Sequence, residues 1–184
     1  KSRACEAYGA EVQRLSVGPE LFYQLLMTLE ETGFFNASLY TPFGIKGVEN
    51  IAKSGLIGRI IGGSYPSGPS TSEPPKIWQM LGANEIAAYN VPSGIMFDMM
   101  REAAAKRPGV ITKVGLDTFV DPTHEGCAMN ARAAEAPIVR KIEFDGGEWL
   151  YFPTIVPQVA IIRGSACDER GNMSFEQEGA YLGA

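Results

Sequence analysis

Apolar residues recur at helical spacing in two segments of the chain. In GPELFYQLLMTLEETG, Leu21, Leu25 and Leu29 stand at i, i+4 and i+8, which predicts an amphipathic helix. In SGIMFDMMREAAAKRPG, apolar residues again return at this spacing. Ser93 precedes them as the predicted N-cap and Pro108-Gly109 closes the segment, so we expect a second helix here.

Short apolar runs lie between and beside these helices and predict buried strands. The runs are ASLYTP, LIGRIIGG, EIAAYNVP and VITKVG, and the segments GVENIAKSG and KIWQMLGAN between them predict short helices. The Pro- and Ser-rich stretch SYPSGPSTSEPP predicts a loop. Strands that alternate with helices are typical of the α/β class, so we expect an open, mainly parallel sheet with helices on both faces.

The pattern becomes richer in strands further along the chain. IVRKIEFDGGEWLYF holds two alternating runs joined by Asp145-Gly146-Gly147, a strong hairpin signal. QVAIIRGSACDERGNMSF predicts a buried strand and then a turn around residues 168–172. We therefore expect a β-rich insertion around residues 116–155. The whole of 1–184 is predicted to be one domain, incomplete at both ends, because its last residues are apolar and finish no element.

The charge balance argues against two classes of partner. Sixteen basic and 21 acidic residues give a net charge of −5, and neither sign forms a long run. Nucleic acids and anionic membranes need clustered Lys and Arg, so neither is expected as a partner. No stretch approaches the roughly 18 apolar residues of a membrane span. Three scattered cysteines without a CxxC motif fit a reducing cytoplasm, and with one histidine they predict no metal site.

The loop GLDTFVDPTHEGCAMN places the only histidine near a cysteine. A thiol nucleophile needs a base and an electropositive setting, whereas Asp121 and Glu125 flank this pair. We expect His124 to be an exposed loop residue and Cys127 to be a packed one. Asp117 in the same loop, like Asp121, has two open interpretations: it lines a site, or it makes a turn.

Glycines follow several of the predicted strands, where open α/β sheets bind their ligands. None of these segments matches a dinucleotide-binding fingerprint or a P-loop. Ser93-Gly94 is the strongest candidate, because a helix that begins there directs backbone N–H groups towards a carboxylate or thioester oxygen. A simple N-capping role for Ser93 is equally compatible with the sequence.

Several segments together resemble the family I coenzyme A transferases. They are NEIAAYNVPSGIMFDMMREAAAKRPGVITKVGLDTFVDP, GCAMN, VRKIEFDGGEWLYF and VAIIRGSACDERGNMSFEQEG. The resemblance runs in order over about residues 18–184. It is nearest to the N-terminal, α-type half of the acetate/propionate branch, in which both halves are fused.

The resemblance implies transfer of CoA between short-chain carboxylic acids by a ping-pong route. A glutamate attacks the acyl-CoA, and an anhydride and then a glutamyl-CoA thioester follow. That glutamate belongs to the C-terminal half, so no catalytic residue is expected in this chain. CoA and acyl-CoA are substrates and no cofactor is tightly bound. The implied partners are a carboxylate acceptor, the β-type half, fused or separate, and further copies in a homo-oligomer.

The resemblance also implies a substrate pocket lined by Asn90, Ser93, Gly94, Phe43 and Gly44. At the position of Ser93 the family commonly has a glutamine that reaches the reacting carboxylate, and serine is too short for that contact unless a water bridges it. In the loop TFVDPTHEGCAMN, the second glycine of the family's pattern is replaced by a cysteine. That position implies tight backbone packing and no nucleophile.

Two other functions remain open at this point. One is a non-catalytic scaffold or regulatory subunit of the same fold. The serine favours it, and so does the lack of the glycine-rich motif that the family carries just after its first strand, where this chain has only VGPE near Gly18. The other is an acyl-carrier-protein transferase subunit of a malonate decarboxylase or citrate lyase type complex. Binding to a carrier protein would distinguish this function from transfer to free CoA.

Overall fold

Three parallel strands form the first sheet, in the order β1-β2-β3. The computed structural model of the chain describes residues 37–41, 57–63, 74–157 and 165–176. Strand β1 spans Ala37–Thr41, β2 spans Ile57–Gly62 and β3 spans Ala87–Asn90. These strands confirm the first three predicted runs. β2 and β3 are buried over most of their length, as expected for parallel strands.

Two helices frame β3 along the chain. Helix α1, Lys76–Gly82, precedes β3, and helix α2, Ser93–Ala104, follows it. Both confirm the predicted helices. The N-cap prediction is wrong: Pro92 is the N-cap of α2, because its carbonyl accepts the first helical bond from the Met96 amide at 3.1 Å. Ser93 is therefore the first residue inside the helix.

A second sheet is antiparallel, in the order β4-β6-β5. Its strands are Gly109–Thr112, Arg140–Phe144 and Gly147–Pro153 for β4, β5 and β6. The predicted hairpin is confirmed: Phe144 pairs with Gly147, and Asp145 and Gly146 between them have φ of 50° and 69°. Both central residues at positive φ are the mark of a type I′ turn.

The β-rich part begins earlier than the sequence predicts. Strand β4 pairs with β6 and not with the parallel sheet, so this part starts at Gly109 instead of near residue 116. Apolar periodicity identifies a strand but does not identify its partner, which explains the difference.

Buried side chains form two clusters. In the first, residues of α2 pack against the antiparallel sheet and against the loop between β4 and β5; its members include Met96, Val120, Leu150 and Phe152. The second cluster joins α1 to β2 and β3. β3 contributes to both clusters, because alternate side chains of a strand point to opposite faces of its sheet.

The chain divides into two compact units. One is Phe22–Val156, which contains both of the larger sheets. The other combines Lys1–Leu21 with Pro157–Ala184. Its described residues form a small hairpin of β7, Ala166–Cys167, and β8, Met173–Ser174, around the predicted turn. The single domain over 1–184 stays a prediction.

Several predicted elements fall outside the described residues, as does the loop SYPSGPSTSEPP apart from its last two residues. Three of them are regular elements. They are the helix of Leu21, Leu25 and Leu29, the helix GVENIAKSG and the buried strand QVAII. Among the helices that the structure describes, none is long and apolar enough to cross a membrane. The described residues also contain no group of three or more His, Cys, Asp or Glu side chains that could hold a metal ion.

Candidate functional site

The carboxyl ends of the three parallel strands meet at one edge of their sheet. Thr41 pairs with Gly62, and Gly62 pairs with Asn90, so the strands end in register. The chain leaves β3 through Val91, whose amide donates to the Gly62 carbonyl at 2.9 Å, and enters α2 two residues later. We call Asn90 to Gly94, together with Gly62, the candidate edge.

Three of the predicted pocket residues lie at the candidate edge. Asn90 and Ser93 are half-buried and Gly94 is exposed. Apart from its chain neighbours and the backbone of its own helix, a Cβ added to Gly94 would meet no atom of the described residues within 4 Å, so the described residues leave open space beside it. Phe43 and Gly44, the other two predicted residues, lie outside the described residues.

Helix α2 begins at the candidate edge. The helix is 12 residues long, and its N-terminus, the positive end of its dipole, lies at this edge. The first backbone N–H groups of any α-helix are not used by its own i to i−4 hydrogen bonds. The first turn of α2, which the structure describes in full, contains no acidic residue. The edge therefore has the electrostatic character that suits a carboxylate or a thioester oxygen.

The loop between β4 and β5 is held together by hydrogen bonds to one buried carboxylate. Among the described residues, Asp121 is the only charged side chain that is fully buried. Its oxygens accept hydrogen bonds from the amides of Asp117 and Thr123, at 3.1 and 2.9 Å, and from the Thr123 hydroxyl at 2.8 Å. The Lys141 ammonium lies 3.2 Å away.

The pKa of Asp121 reports the same arrangement. Burial raises the pKa of this carboxyl, but the hydrogen bonds from Thr123, Asp117 and Lys141 outweigh burial and hold the pKa below its ordinary value. The carboxylate is thus charged and fully engaged by its own loop and by Lys141 of β5. Of the two interpretations of Asp121, the geometry supports the turn.

His124 and Cys127 do not form a catalytic pair. His124 is exposed, and its amide donates to the Asp121 carbonyl at 2.9 Å. Cys127 is fully buried, and burial raises the pKa of its thiol to about 12. A thiol that stays protonated at neutral pH is a poor nucleophile. Both predictions for these residues, one exposed and the other packed, are confirmed.

The backbone of Cys127 adopts a conformation typical of glycine. Its φ is +68°, in the left-handed region that side chains rarely adopt. This agrees with the sequence analysis, in which the cysteine stands at a glycine position of a known pattern.

The end of this loop extends the parallel sheet on the side of β3 that faces away from β2. Residues 127–129 run antiparallel to β3, and Tyr89 pairs with Ala128. The Asn90 amide donates to the Cys127 carbonyl, and the Met129 amide donates to the Ala88 carbonyl, both at 2.8 Å. The loop therefore holds the strand that leads to the candidate edge.

Asn130 directly follows this segment, and no role was predicted for it from the sequence. Its side-chain oxygen caps the one-turn helix α3, Ala131–Ala134, by accepting from the Ala133 amide at 3.0 Å. An Asn directly before the helix-forming run ARAA is a known N-cap signal and could have identified it.

Comparison with known proteins decides the family. The family model described as Coenzyme A transferase matches residues 31–184. The chain belongs to the coenzyme A transferase family. Acetate CoA-transferase YdiF of Escherichia coli K12 is 36% identical to it over 154 residues, which are 81% of this chain and 28% of YdiF. The chain thus spans little more than a quarter of the length of this relative.

A solved structure of a relative has the same fold. The crystal structure of the acyl-CoA transferase YdiF from E. coli O157:H7, as a thioester complex with CoA, superposes with a TM-score of 0.73 at 33% identity. The match covers 86% of this chain and 31% of the other. The α/β fold with a parallel sheet, expected from the sequence, is the fold of the transferase family.

A short stretch also resembles a protein with a different name. Over 51 residues, 28% of this chain, it is 74% identical to the 2-amino-4-ketopentanoate thiolase beta subunit of Acetoanaerobium sticklandii. That match covers 11% of the thiolase subunit.

Proposed function

We propose that this chain is the N-terminal, α-type half of an acyl-CoA:carboxylate CoA-transferase that moves CoA between short-chain carboxylic acids. Family membership supports the reaction class. The candidate edge, where the N-terminus of α2 opens beside Asn90 and Gly94, supports a binding role for this half. A match to 11% of a thiolase subunit is too small a share to bring that protein's activity here.

The proposed chemistry is covalent and proceeds by a ping-pong route. A glutamate of the β-type half attacks the acyl-CoA carbonyl, which gives an acyl-glutamyl anhydride and releases the CoA thiolate. The thiolate then attacks the glutamyl carbonyl, forms the glutamyl-CoA thioester and releases the first carboxylate. The acceptor carboxylate reverses these two steps and leaves as its CoA thioester. No cofactor other than the CoA substrates takes part.

In this scheme the present chain supplies binding and charge stabilisation. The N-terminal turn of α2, at exposed Gly94, faces the oxygen on which negative charge develops, with Asn90 beside it. Phe43 and Gly44 are proposed to line the same pocket. Ser93, shorter than the family's usual glutamine, reaches the substrate through a bridging water.

The complete enzyme needs the β-type half, either fused or as a separate chain. We propose that it acts as a homo-oligomer in the cytoplasm and that residues 1–184 belong to one α-type domain. Acyl-CoA and a carboxylate acceptor are its substrates, and it binds neither nucleic acid nor membrane.

The test is the mass of the complete protein after incubation with acetyl-CoA or propionyl-CoA and then borohydride. Borohydride reduces a glutamyl thioester to an alcohol, so the mass falls by a small fixed amount. We expect the change to map to a glutamate outside residues 1–184. A matched sample without acyl-CoA should show no change.

A second candidate is a non-catalytic scaffold or regulatory subunit of the same fold. Ser93 at the position of a substrate-contacting glutamine favours it. In the borohydride experiment this candidate predicts bound CoA without any loss of mass, which is the result that would contradict the transferase proposal.

A further inference from the structure

The side chain of Asn130 uses its polar atoms on three different parts of the fold. Its amide nitrogen donates to the carbonyls of Leu81, at 3.0 Å, and Ile86, at 2.8 Å. Its oxygen accepts from the Ala133 amide at 3.0 Å and lies 3.5 Å from the Ala88 amide. One residue thus joins the end of α1, the beginning of β3 and the first turn of α3.

The backbone before Asn130 continues this connection along β3. The Met129 amide donates to the Ala88 carbonyl and the Cys127 carbonyl accepts from the Asn90 amide, both at 2.8 Å. We call residues 127–130 the brace. The brace is fixed at one end by the Asn130 amide and reaches the candidate edge at the other end, where the Cys127 carbonyl accepts from the Asn90 amide.

Other contacts keep the brace in a single place. The Cys127 side chain is fully buried in the larger core cluster. Tyr89, also fully buried, donates its hydroxyl to the Ala136 carbonyl at 2.7 Å, just beyond α3. Close-packed interiors have low compressibility and transmit strain. We therefore expect a change at Asn130 to reach Asn90 through these contacts.

We propose that Asn130 is a positioning residue for the candidate edge: its amide group sets the place of Asn90 and of the α2 N-terminus against the substrate. This inference rests on the proposed transferase function. Asn130 itself touches no reacting atom. It acts through the brace and β3, and displacements near 1 Å at a reacting centre lower rates by about 100-fold.

Two substitutions of Asn130 distinguish its proposed positioning role from its role as the N-cap of α3. Ser and Asp are both good N-caps, so Asn130→Ser and Asn130→Asp keep the cap on α3. Serine loses both donors to Leu81 and Ile86. Aspartate places a carboxylate against the same two carbonyl oxygens. Tyr151→Phe is the control, because it removes one hydroxyl bond, 2.7 Å to the Pro108 carbonyl, on the antiparallel sheet.

The experiment uses the complete natural protein and two measurements. The first is the steady-state rate of CoA transfer from acetyl-CoA to a carboxylate acceptor, with kcat expressed per folded molecule. The second is hydrogen exchange at the Asn90 and Met129 amides, which report the brace directly. We expect both Asn130 variants to lower kcat by about 10- to 100-fold, with a smaller change in KM, and to lose protection at both amides. Tyr151→Phe should change neither.

The outcomes distinguish the two proposals. Lost protection with an unchanged kcat would overturn the positioning role and leave Asn130 as a stabilising residue only. Unchanged protection in Asn130→Ser would overturn it as well, whatever happens to kcat. If the wild-type protein forms no thioester and transfers no CoA, the proposed function itself fails, and the positioning role falls with it.

Discussion

The buried carboxylate of Asp121 gives a sharp test of the loop's architecture. Asp121→Asn preserves shape but removes the charge. The oxygen that accepts from Thr123 can remain, whereas the new NH₂ group faces the Asp117 amide and the Lys141 ammonium, which are themselves donors. The substitution therefore removes the hydrogen bond from the Asp117 amide and the ion pair with Lys141, and it places a donor against both of these donors.

The size of the effect follows from these contacts. A hydrogen bond to a charged group contributes about 1.5–3 kcal/mol, and breaking a buried ion pair costs about 3–5 kcal/mol. Lys141 is partly exposed and also lies 3.0 Å from Glu148, which compensates part of the loss. We therefore expect Asp121→Asn to lower the free energy of unfolding by about 2–4 kcal/mol at pH 7.

The assay is urea unfolding followed by circular dichroism at several pH values. The folded pKa of Asp121 is depressed, so its contribution is complete above the unfolded pKa of about 4 and is lost as pH falls towards the folded pKa. The difference between wild type and variant should shrink below about pH 4.

Glu148→Gln is the matched control for Asp121→Asn. It removes the exposed carboxylate that shares Lys141, and it should cost no more than about 1 kcal/mol. A loss below about 1 kcal/mol for Asp121→Asn, or a loss that does not depend on pH, would refute the reasoning.

Three further predictions concern the cysteines and the candidate edge. At pH 8, iodoacetamide should label exposed Cys167 and leave buried Cys127 unmodified until urea is added. Peptide mass mapping would show which cysteine is labelled, and labelling of both in the native protein would contradict the burial of Cys127. Gly94→Ala should leave the free energy of unfolding within about 1 kcal/mol of the wild-type value, since its Cβ enters open space. It should nevertheless lower kcat/KM by about 10-fold because the added methyl group crowds the edge. Unchanged activity would remove Gly94 from the site. Ser93→Gln should raise kcat/KM for acetate by about 10-fold through a direct carboxylate contact, and a fall in kcat/KM would show that the pocket is adapted to serine.

Local chemistry determined much of this protein. The hairpin at Asp145-Gly146 follows from two residues that tolerate positive φ between alternating runs. The helix from Ser93 follows from apolar spacing, and the three parallel strands follow from short apolar runs beside glycines. The family resemblance implied the glycine-like position of Cys127, and its φ of +68° agrees. The hairpin, the helix and the strands each depend on a few consecutive residues.

The remaining features were decided by contacts between distant parts of the chain. Strand β4 joined β6, about 40 positions away, because pairing depends on which buried faces meet. Asp121 was equally compatible with a site and a turn until burial and the approach of Lys141 fixed its role. Asn130 has an ordinary capping signal in the sequence, but its bonds to Leu81 and Ile86 exist only because tertiary packing brings α1, β3 and the brace together.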